Sequence, residues 1–260
     1  MTQLARALLA GLLLPILALA DAPKNAEGLF SQGREAYQAE NYQRAMDLFA
    51  EAARLEPGSS RYHHWLGKAT GRRAERASFL TAPRLAGKAR TAFERAVQLD
   101  GSNTAALADL FEYYLEAPGV LGGGEDKARA MASRLGALSP AEGHRAQAAV
   151  RIKKKDWVGA EAELRRALEL DHENRNRLLD LASFLTDRGR YQEADTLLDR
   201  AAEAAPNVPE VVFARARRLV AAGAEPARAR QLLEQYLRSE RQPDDPPRSE
   251  AEALLKKIPK

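Results

Sequence analysis

The sequence predicts an all-α fold, a solenoid of repeated helix-turn-helix units, and three observations carry this prediction. The segments Tyr42–Pro57 and Tyr191–Pro206 share one spacing: an aromatic residue, Ala three residues later, a large apolar residue after four more, Ala after three and Pro after five. This spacing is typical of the second half of a 34-residue helical repeat. Ala, Leu, Arg and Glu dominate the composition, whereas aromatic residues make up only 6%, which favours helices over a β-sandwich or barrel.

The amino terminus has the composition of an export signal. Arg6 precedes an apolar run that continues to Ala20, and the run ends in the small-x-small sequence Ala18-Leu19-Ala20. A basic start, a short apolar stretch and such an ending predict a secretory signal peptide over residues 1–20. We expect cleavage after Ala20 and a mature chain that is periplasmic or secreted.

The alternative is that this segment is kept as an uncleaved membrane anchor. Its apolar run is about 14 residues long and contains Gly11 and Pro15, whereas a helix needs roughly 20 apolar residues to cross a bilayer. We therefore expect no integral membrane span in the mature form.

Composition also narrows the classes of function. The chain has no cysteine, which excludes disulfides, lipid attachment through an N-terminal cysteine and cysteine-ligated metal. The formal net charge is only +4 for 260 residues, so the overall charge gives no reason to expect a nucleic-acid partner.

The first repeat, Ala26–Ser59, shows the repeat pattern most completely. The small residues Gly33, Ala45 and Ala52 stand at repeat positions 8, 20 and 27, aromatic residues stand at positions 17 and 24, and Pro57 stands at position 32. Two antiparallel helices approach closely only where small residues separate them, and the proline ends the second helix. This pattern resembles the tetratricopeptide repeat (TPR).

The TPR resemblance extends over about Ala26–Ser239 and is most specific in the first, fourth and fifth repeats. It implies a right-handed superhelical solenoid of about six helix-turn-helix repeats, whose first helices line a concave groove. TPR arrays typically bind peptides or partner-protein segments there and are not themselves catalytic. The stretch Trp65–Gly124 is also similar to a group of exported bacterial TPR proteins.

Two of the repeats carry insertions. In the second, Gly67 and Ala89 are 22 residues apart where a standard repeat has 12, which predicts a longer first helix and a loop before Pro83. In the third, the connection Ala117–Gly124 ends in three glycines, which permit a turn or a close backbone approach. We expect the TPR domain to span 21–239. A linker follows over 240–260, with either a capping helix at Glu250–Ile258 or a mobile tail.

The TPR pattern assigns particular residues of each first helix to the groove. At its N-terminal end these residues are basic and aromatic, which would suit an extended peptide with acidic groups. The predicted partner-binding residues are Arg34, Tyr37, His64, Lys68, Arg72 and Arg145. The loop Ala117–Gly124 is a further candidate for specificity. An ordinary solvated helix face is the alternative for all these positions.

One TPR subgroup holds the terminal carboxylate of a peptide with Lys and Asn at positions 5 and 9 of the first repeat. This chain has Phe30 and Arg34 there. The difference argues against that clamp, although Arg34 and Lys68 could still pair with an anion.

No motif for a metal, a cofactor or catalysis is present in the sequence. His63 and His64 are adjacent, so on a helix they diverge by about 100° and cannot chelate one ion from one face. The VLGGG sequence of Val120–Gly124 lacks the Lys-Ser/Thr of a phosphate loop and reads as a structural turn. We expect no cofactor, no metal and no enzymatic activity.

These observations predict a non-catalytic scaffold or adaptor that binds a partner protein or peptide in the bacterial cell envelope. The alternative is a helical carrier or sensor of a small anionic envelope ligand, such as a lipid or glycan fragment, held under the loops of the second and third repeats. Self-association through the outer face or the tail also stays open.

Overall fold

The computed structural model describes residues 25–204, 207–240, 242 and 245–259. These ranges form α-helices and no β-strand. The helices are α1 (Ala26–Gln38), α2 (Tyr42–Leu55), α3 (Ser60–Glu75), α4 (Ala82–Leu99), α5 (Thr104–Glu116), α6 (Glu125–Leu138), α7 (Pro140–Lys153), α8 (Trp157–Leu170), α9 (Arg175–Asp187), α10 (Tyr191–Ala204), α11 (Pro209–Ala222), α12 (Pro226–Arg238) and α13 (Arg248–Lys257).

The helices pack in chain order as six antiparallel pairs, α1–α2 to α11–α12, followed by α13. The buried apolar residues fall into four clusters that also follow the chain, over residues 26–69, 89–150, 148–211 and 212–258. A core made by each unit with its neighbours is the packing of a solenoid. The predicted all-α solenoid is therefore confirmed.

Glycines allow the two helices of the first pairs to touch. A Cβ atom on Gly33 would lie 2.5 Å from the ring of Phe49, and one on Gly67 would lie 2.5 Å from the ring of Phe93. Phe49 is fully buried. The aromatic residue of the second helix thus fills the place that a side chain at position 8 of the first helix would need.

The second pair is longer than the others. Helix α3 has 16 residues and α4 has 18, whereas α1 and α2 have 13 and 14. The loop 76–81 joins the two long helices, and Pro83 lies in the first turn of α4. Because the extra turns are added next to this loop, the α3–α4 hairpin projects beyond the neighbouring pairs.

The connection in the third pair is a fixed turn. Residues Gly119–Leu121 form one turn of 3-10 helix, and Gly122 has a φ of 85°, in the left-handed region. Two side chains fix the position of the turn, because Arg90 and the Tyr113 hydroxyl both donate to the Leu121 carbonyl at 2.9 Å. The glycines therefore serve a sharp turn and a close approach.

The C-terminal helix α13 covers the end of the solenoid. Its buried residues Ala251 and Leu254 join a cluster with Phe213, Leu233 and Tyr236 of the last pair. The Tyr236 hydroxyl also donates to the carbonyl of Pro246, in the linker that precedes α13. The last pair thus has its apolar edge buried by the chain's own C-terminus.

The proposed signal peptide, residues 1–20, lies outside the described residues. Among the residues that are described, no helix is both long enough and apolar enough to cross a bilayer.

Candidate functional site

The first helices of successive pairs lie side by side and form one continuous inner face. Side chains about one repeat apart in sequence link each of these helices to the next. The links along the face are Tyr37 to Arg72, His64 to Asp109, Glu112 to Arg145, Glu116 to Lys153, Glu142 to Arg177 and Asp187 to Arg217. The face is therefore lined with polar side chains whose positions are fixed across repeats.

Two cations flank a tryptophan at the N-terminal end of the inner face. Arg34 lies 5.4 Å and Lys68 lies 5.2 Å from the ring centre of Trp65. The Trp65 ring in turn packs on Phe30 and Phe49, with ring centres 5.8 and 5.6 Å apart. Arg34 is exposed and forms no ion pair within the described residues. Such an arrangement can receive both an anion and an apolar side chain.

Tyr37 and Arg72 adjoin this pair of cations. Tyr37 is only 4% exposed, and its hydroxyl accepts a hydrogen bond from Nε of Arg72 at 3.4 Å. Although burial opposes the charge, the contacts with Tyr37 and Glu75 raise the pKa of Arg72 above its ordinary value. The buried Tyr37 therefore positions Arg72 through this hydrogen bond, and Arg72 is the more accessible of the two.

The chain's own linker lies against the same end of the inner face. A narrow cleft of about 20 Å³, the size of a single water molecule, remains between the linker and α1, α2 and α3. Its lining residues are Tyr37, Gln38, Glu40, Tyr42, Arg72, Gln242, Asp245 and Pro247. The N-terminal end of the groove is thus partly covered by residues that are distant in sequence.

His64 is nearly buried and bonds an acidic partner on the next first helix. It is 6% exposed, and its Nε2 lies 2.7 Å from Oδ2 of Asp109 in α5. His63 contacts the carbonyl of Pro57 at 3.2 Å, and burial lowers its pKa. The two neighbouring rings thus face different partners. Over the described part of the chain, no three acidic or histidine side chains are grouped as metal ligands.

Arg145 lies in a second group of charges, halfway along the face. This central charged cluster consists of Glu112, Glu142, Arg145, Arg177 and Asp180. Arg145 donates to Glu142 at 3.0 Å and to Glu112 at 3.3 Å. The buried Arg177 bonds Glu142 and, at 2.7 Å, Asp180. Three carboxylates surround two guanidinium groups, so the positive charge of Arg145 is already compensated.

Burial in the concave face disfavours ionisation of the outer carboxylates of this cluster. It raises the pKa values of both Glu112 and Asp180, although Arg145 acts in the opposite direction on each. The desolvation is only partial, because 57% of the Glu112 side chain and 34% of the Asp180 side chain are exposed and solvent screens the effect. Each carboxylate would gain from a cation delivered by a ligand, because that would offset the lost hydration.

The structure brings four of the six sequence-predicted residues together. Arg34, Tyr37 and Lys68 contact Trp65, and Arg72 bonds Tyr37. His64 and Arg145 belong to other contacts. The sequence-based prediction did not include Trp65 or the acidic character of the centre. The sequence did contain a signal for the central charged cluster. Residues of opposite charge stand 33 to 35 positions apart, as in Glu112–Arg145 and Glu142–Arg177.

Comparison with known proteins identifies the repeat. The tetratricopeptide-repeat family model matches residues 151–222, from the last turn of α7 to the end of α11. No curated protein sequence matches the chain significantly.

Solved structures share the fold at low sequence identity. A thermophilic TPR protein of Thermus thermophilus is 22% identical, with a TM-score of 0.57 over 75% of this chain and 98% of that protein. A TPR protein of Parabacteroides merdae is 18% identical, with a TM-score of 0.50 over 90% and 85%. Yeast Tom70 is 16% identical, with a TM-score of 0.55 over 85% and 46%. These matches identify tetratricopeptide repeats over residues 151–222 and show that the chain shares the fold of TPR proteins.

Proposed function

We propose that this TPR protein is a non-catalytic adaptor or scaffold of the bacterial cell envelope, and that it binds an extended segment of a partner protein on its inner face. The observation that carries the proposal is the arrangement of Arg34 and Lys68 around Trp65. An exposed cation without an ion pair, beside a partly exposed indole, is the kind of group that anchors a peptide. The envelope location rests on the export signal expected in residues 1–20.

The charges of the inner face indicate the chemistry of the partner. An acidic side chain would pair with Arg34 and Lys68 at the N-terminal end. A basic side chain would approach Glu112 and Asp180 at the centre, where burial disfavours uncompensated carboxylates. A segment with an acidic part and a basic part in this order would match the face, whereas one of a single charge sign would be repelled at one end.

The linker gives a second argument for an acidic, extended ligand. Its sequence over residues 242–247 is QPDDPP, and Gln242, Asp245 and Pro247 lie against Tyr37 and Arg72. Proline-rich segments are extended before they bind and so lose little entropy on docking. The chain's own acidic segment therefore serves as an example of what the N-terminal end accepts.

The contacts of the loop Ala117–Gly124 in the third repeat do not support a small-molecule site beneath it. Arg90 and Tyr113 fill the underside of the Gly119–Leu121 turn and bond its carbonyl. We therefore do not extend the proposal to a carrier of small anions.

The test compares two pairs of charge reversals in the full chain. Arg34→Glu with Lys68→Glu reverses the cations at Trp65, whereas Arg44→Glu with Arg95→Glu makes the same charge change on exposed residues of α2 and α4, the second helices of the same pairs. Crosslinked partners from envelope extract are identified by mass spectrometry.

The proposal expects a protein that is captured by the wild type and by the Arg44/Arg95 variant and lost from the Arg34/Lys68 variant. Capture of the same proteins by all three forms would refute the assignment of the binding surface. Circular dichroism confirms that each variant is folded before the comparison is made.

A further inference from the structure

Within the described part of the chain, the most exposed large apolar side chains are concentrated at one edge. Among the described residues, Phe79 is 84% exposed, Leu80 76%, Val120 94% and Val158 84%, whereas the other exposed large apolar residues lie between 38% and 47%. Single exposed apolar residues are common on protein surfaces, whereas several at one edge indicate an interaction surface.

All four residues lie where a first helix turns into its second helix. Phe79 and Leu80 occupy the α3–α4 loop, Val120 the α5–α6 connection, and Val158 the first turn of α8. Because the first helices run parallel to one another, these turns share one edge of the solenoid. Contacts between units support this, since Arg90 of α4 bonds the Leu121 carbonyl at 2.9 Å and Lys154 pairs with Glu125 at 2.5 Å.

The α3–α4 hairpin extends furthest from this edge, and its tip is strongly basic. Residues 71–88 contain five cations and one acid, which gives a formal charge of +4. The acid, Glu75, is paired with Arg72, and Arg76 pairs with Glu40. Three cations remain, Arg73, Arg84 and Lys88, and none of them forms an ion pair with a described residue.

The charged side chains near Val120 and near Val158 are mostly paired with opposite charges. Near Val120, Glu125 pairs with Arg129 and Lys154, and Asp126 remains as an acid. Near Val158, Asp156 pairs with Arg151 at 2.7 Å, and the exposed Lys155 forms no ion pair with a described residue. The largest basic excess therefore belongs to the hairpin tip, while Val120 and Val158 add apolar contact and Lys155 adds one cation along the same edge.

We infer that this edge docks on an anionic lipid surface, with Phe79 and Leu80 inserted at the interface. An apolar pair that projects from a scaffold and is flanked by cations has the two components of interfacial binding, burial of apolar area and attraction to acidic headgroups. The aliphatic stems of Arg84 and Lys88 can follow the tip while their charged ends stay at the headgroups. This surface is separate from the inner face, so it does not rest on the proposed partner binding.

The absence of cysteine from the sequence allows one reporter to be placed at a chosen position. A polarity-sensitive fluorophore is attached to the full chain at Phe79→Cys or, as control, at Leu170→Cys, which ends α8 at the opposite edge. Because the reporter is local, an independent contribution of residues 1–20 to membrane binding does not produce the signal at 79.

The chain is titrated with vesicles of phosphatidylcholine alone or mixed with phosphatidylglycerol. The inference predicts a blue shift of the label at 79 on the mixed vesicles only, and none at 170. Arg84→Glu with Lys88→Glu should weaken the affinity for mixed vesicles about tenfold or more, since each cation near an anionic surface contributes roughly a further factor of five. Arg44→Glu with Arg95→Glu should leave that affinity unchanged.

Three results would overturn the inference. They are no shift at 79 on mixed vesicles, an equal shift on pure phosphatidylcholine, and an equal shift at 170. A label at 79 that responds to a soluble protein fraction but not to vesicles would likewise overturn it and would assign the edge to a protein partner.

Discussion

The backbone N–H of Arg248, the first residue of α13, donates to Oε1 of Glu40, in the turn between α1 and α2, across 3.0 Å. The two residues are 208 positions apart in sequence. The other carboxylate oxygen of Glu40 accepts from Arg76, and Glu40 itself has a φ of 57°. One carboxylate thus joins the first pair, the second pair and the C-terminal helix.

This contact predicts that Glu40 protects the backbone amide of Arg248, at the start of α13, from hydrogen exchange. Replacing Glu40 with Ala removes the acceptor of the Arg248 amide, and a hydrogen bond to a charged group contributes about 1.5–3 kcal/mol. We expect exchange of the Arg248 amide hydrogen to accelerate about tenfold or more, measured by NMR. Glu35→Ala removes an exposed carboxylate from α1 and should leave this amide unchanged. Equal exchange rates in both variants would show that the contact does not hold the ends together.

The packing of α3 on α4 predicts opposite effects for two glycines of one helix. A Cβ at Gly67 would lie 2.5 Å from the Phe93 ring, whereas one at Gly71 meets no atom within 4 Å. We expect Gly67→Ala to lower the free energy of unfolding by about 1–3 kcal/mol. Gly71→Ala should raise it by about 0.5–1 kcal/mol, because alanine restricts the unfolded chain. Urea denaturation measures both, and similar effects of the two substitutions would contradict the helix packing.

The turn after the 3-10 helix predicts that substitutions at Gly122 and at Gly119 differ in their effect on stability. Gly122 has a φ of 85°, and a Cβ there would lie 1.6 Å from Nη1 of Arg90, whereas a Cβ at Gly119 meets no atom within 4 Å. Gly122→Ala should therefore cost about 1–2 kcal/mol, through the left-handed backbone and the displaced arginine. Gly119→Ala should change stability by less than about 0.5 kcal/mol. Thermal unfolding in which both variants match the wild type would exclude a structural role for the Arg90 contact.

The central charged cluster predicts a pH dependence of known sign. Burial raises the pKa of Glu112, so the folded state binds this proton more readily than the unfolded state does. Ionisation of Glu112 therefore costs stability above its folded pKa, and this cost is relieved as the pH falls through that value towards the ordinary 4.5. Glu112→Gln is expected to preserve or raise the free energy of unfolding at pH 7, with a smaller difference at pH 4.

Glu193 provides the matched control with the opposite sign. A hydrogen bond from Arg190 lowers its pKa, so its contribution is present above the ordinary carboxyl pKa and is lost as the pH falls through the folded value. Glu193→Gln should therefore destabilise the protein slightly at pH 7 and less at pH 4. Equal destabilisation by both substitutions at pH 7 would rule out desolvation of Glu112 as the dominant effect.

The helix pairs were predictable because each depends on local spacing. Gly33 and Phe49 mark the first pair from sequence alone, since a small residue and the aromatic ring that fills its place recur at fixed positions. The loop before Pro83 was predictable for the same reason, because an insertion interrupts a regular count. The predicted helix Glu250–Ile258 differs from α13, Arg248–Lys257, by only one or two residues at each end.

The site was less predictable, because its properties depend on contacts between repeats. Arg145 is basic in sequence, but Glu112 and Glu142 compensate its charge in the fold. Tyr37 and His64 were expected on the groove surface, but both are nearly buried, since neighbouring helices cover them. No local pattern predicts that Asp245 and Arg248 lie against the first repeat, because this contact joins segments from opposite ends of the sequence.

Binding of a partner segment at the N-terminal end of the inner face can be tested by site-specific photo-crosslinking in envelope extract. Ser31 is exposed and lies on one stripe of α1 with Glu27 and Arg34, both of which reach α3. A photoreactive residue at Ser31 therefore samples the inner face, and one at Ala50 of α2 samples an exposed position on the second helix.

We expect a specific adduct from position 31, none from position 50, and loss of the adduct when Arg34→Glu and Lys68→Glu are introduced. An adduct from position 50 alone, or one from position 31 that survives the double charge reversal, would show that Arg34 and Lys68 do not bind the partner segment.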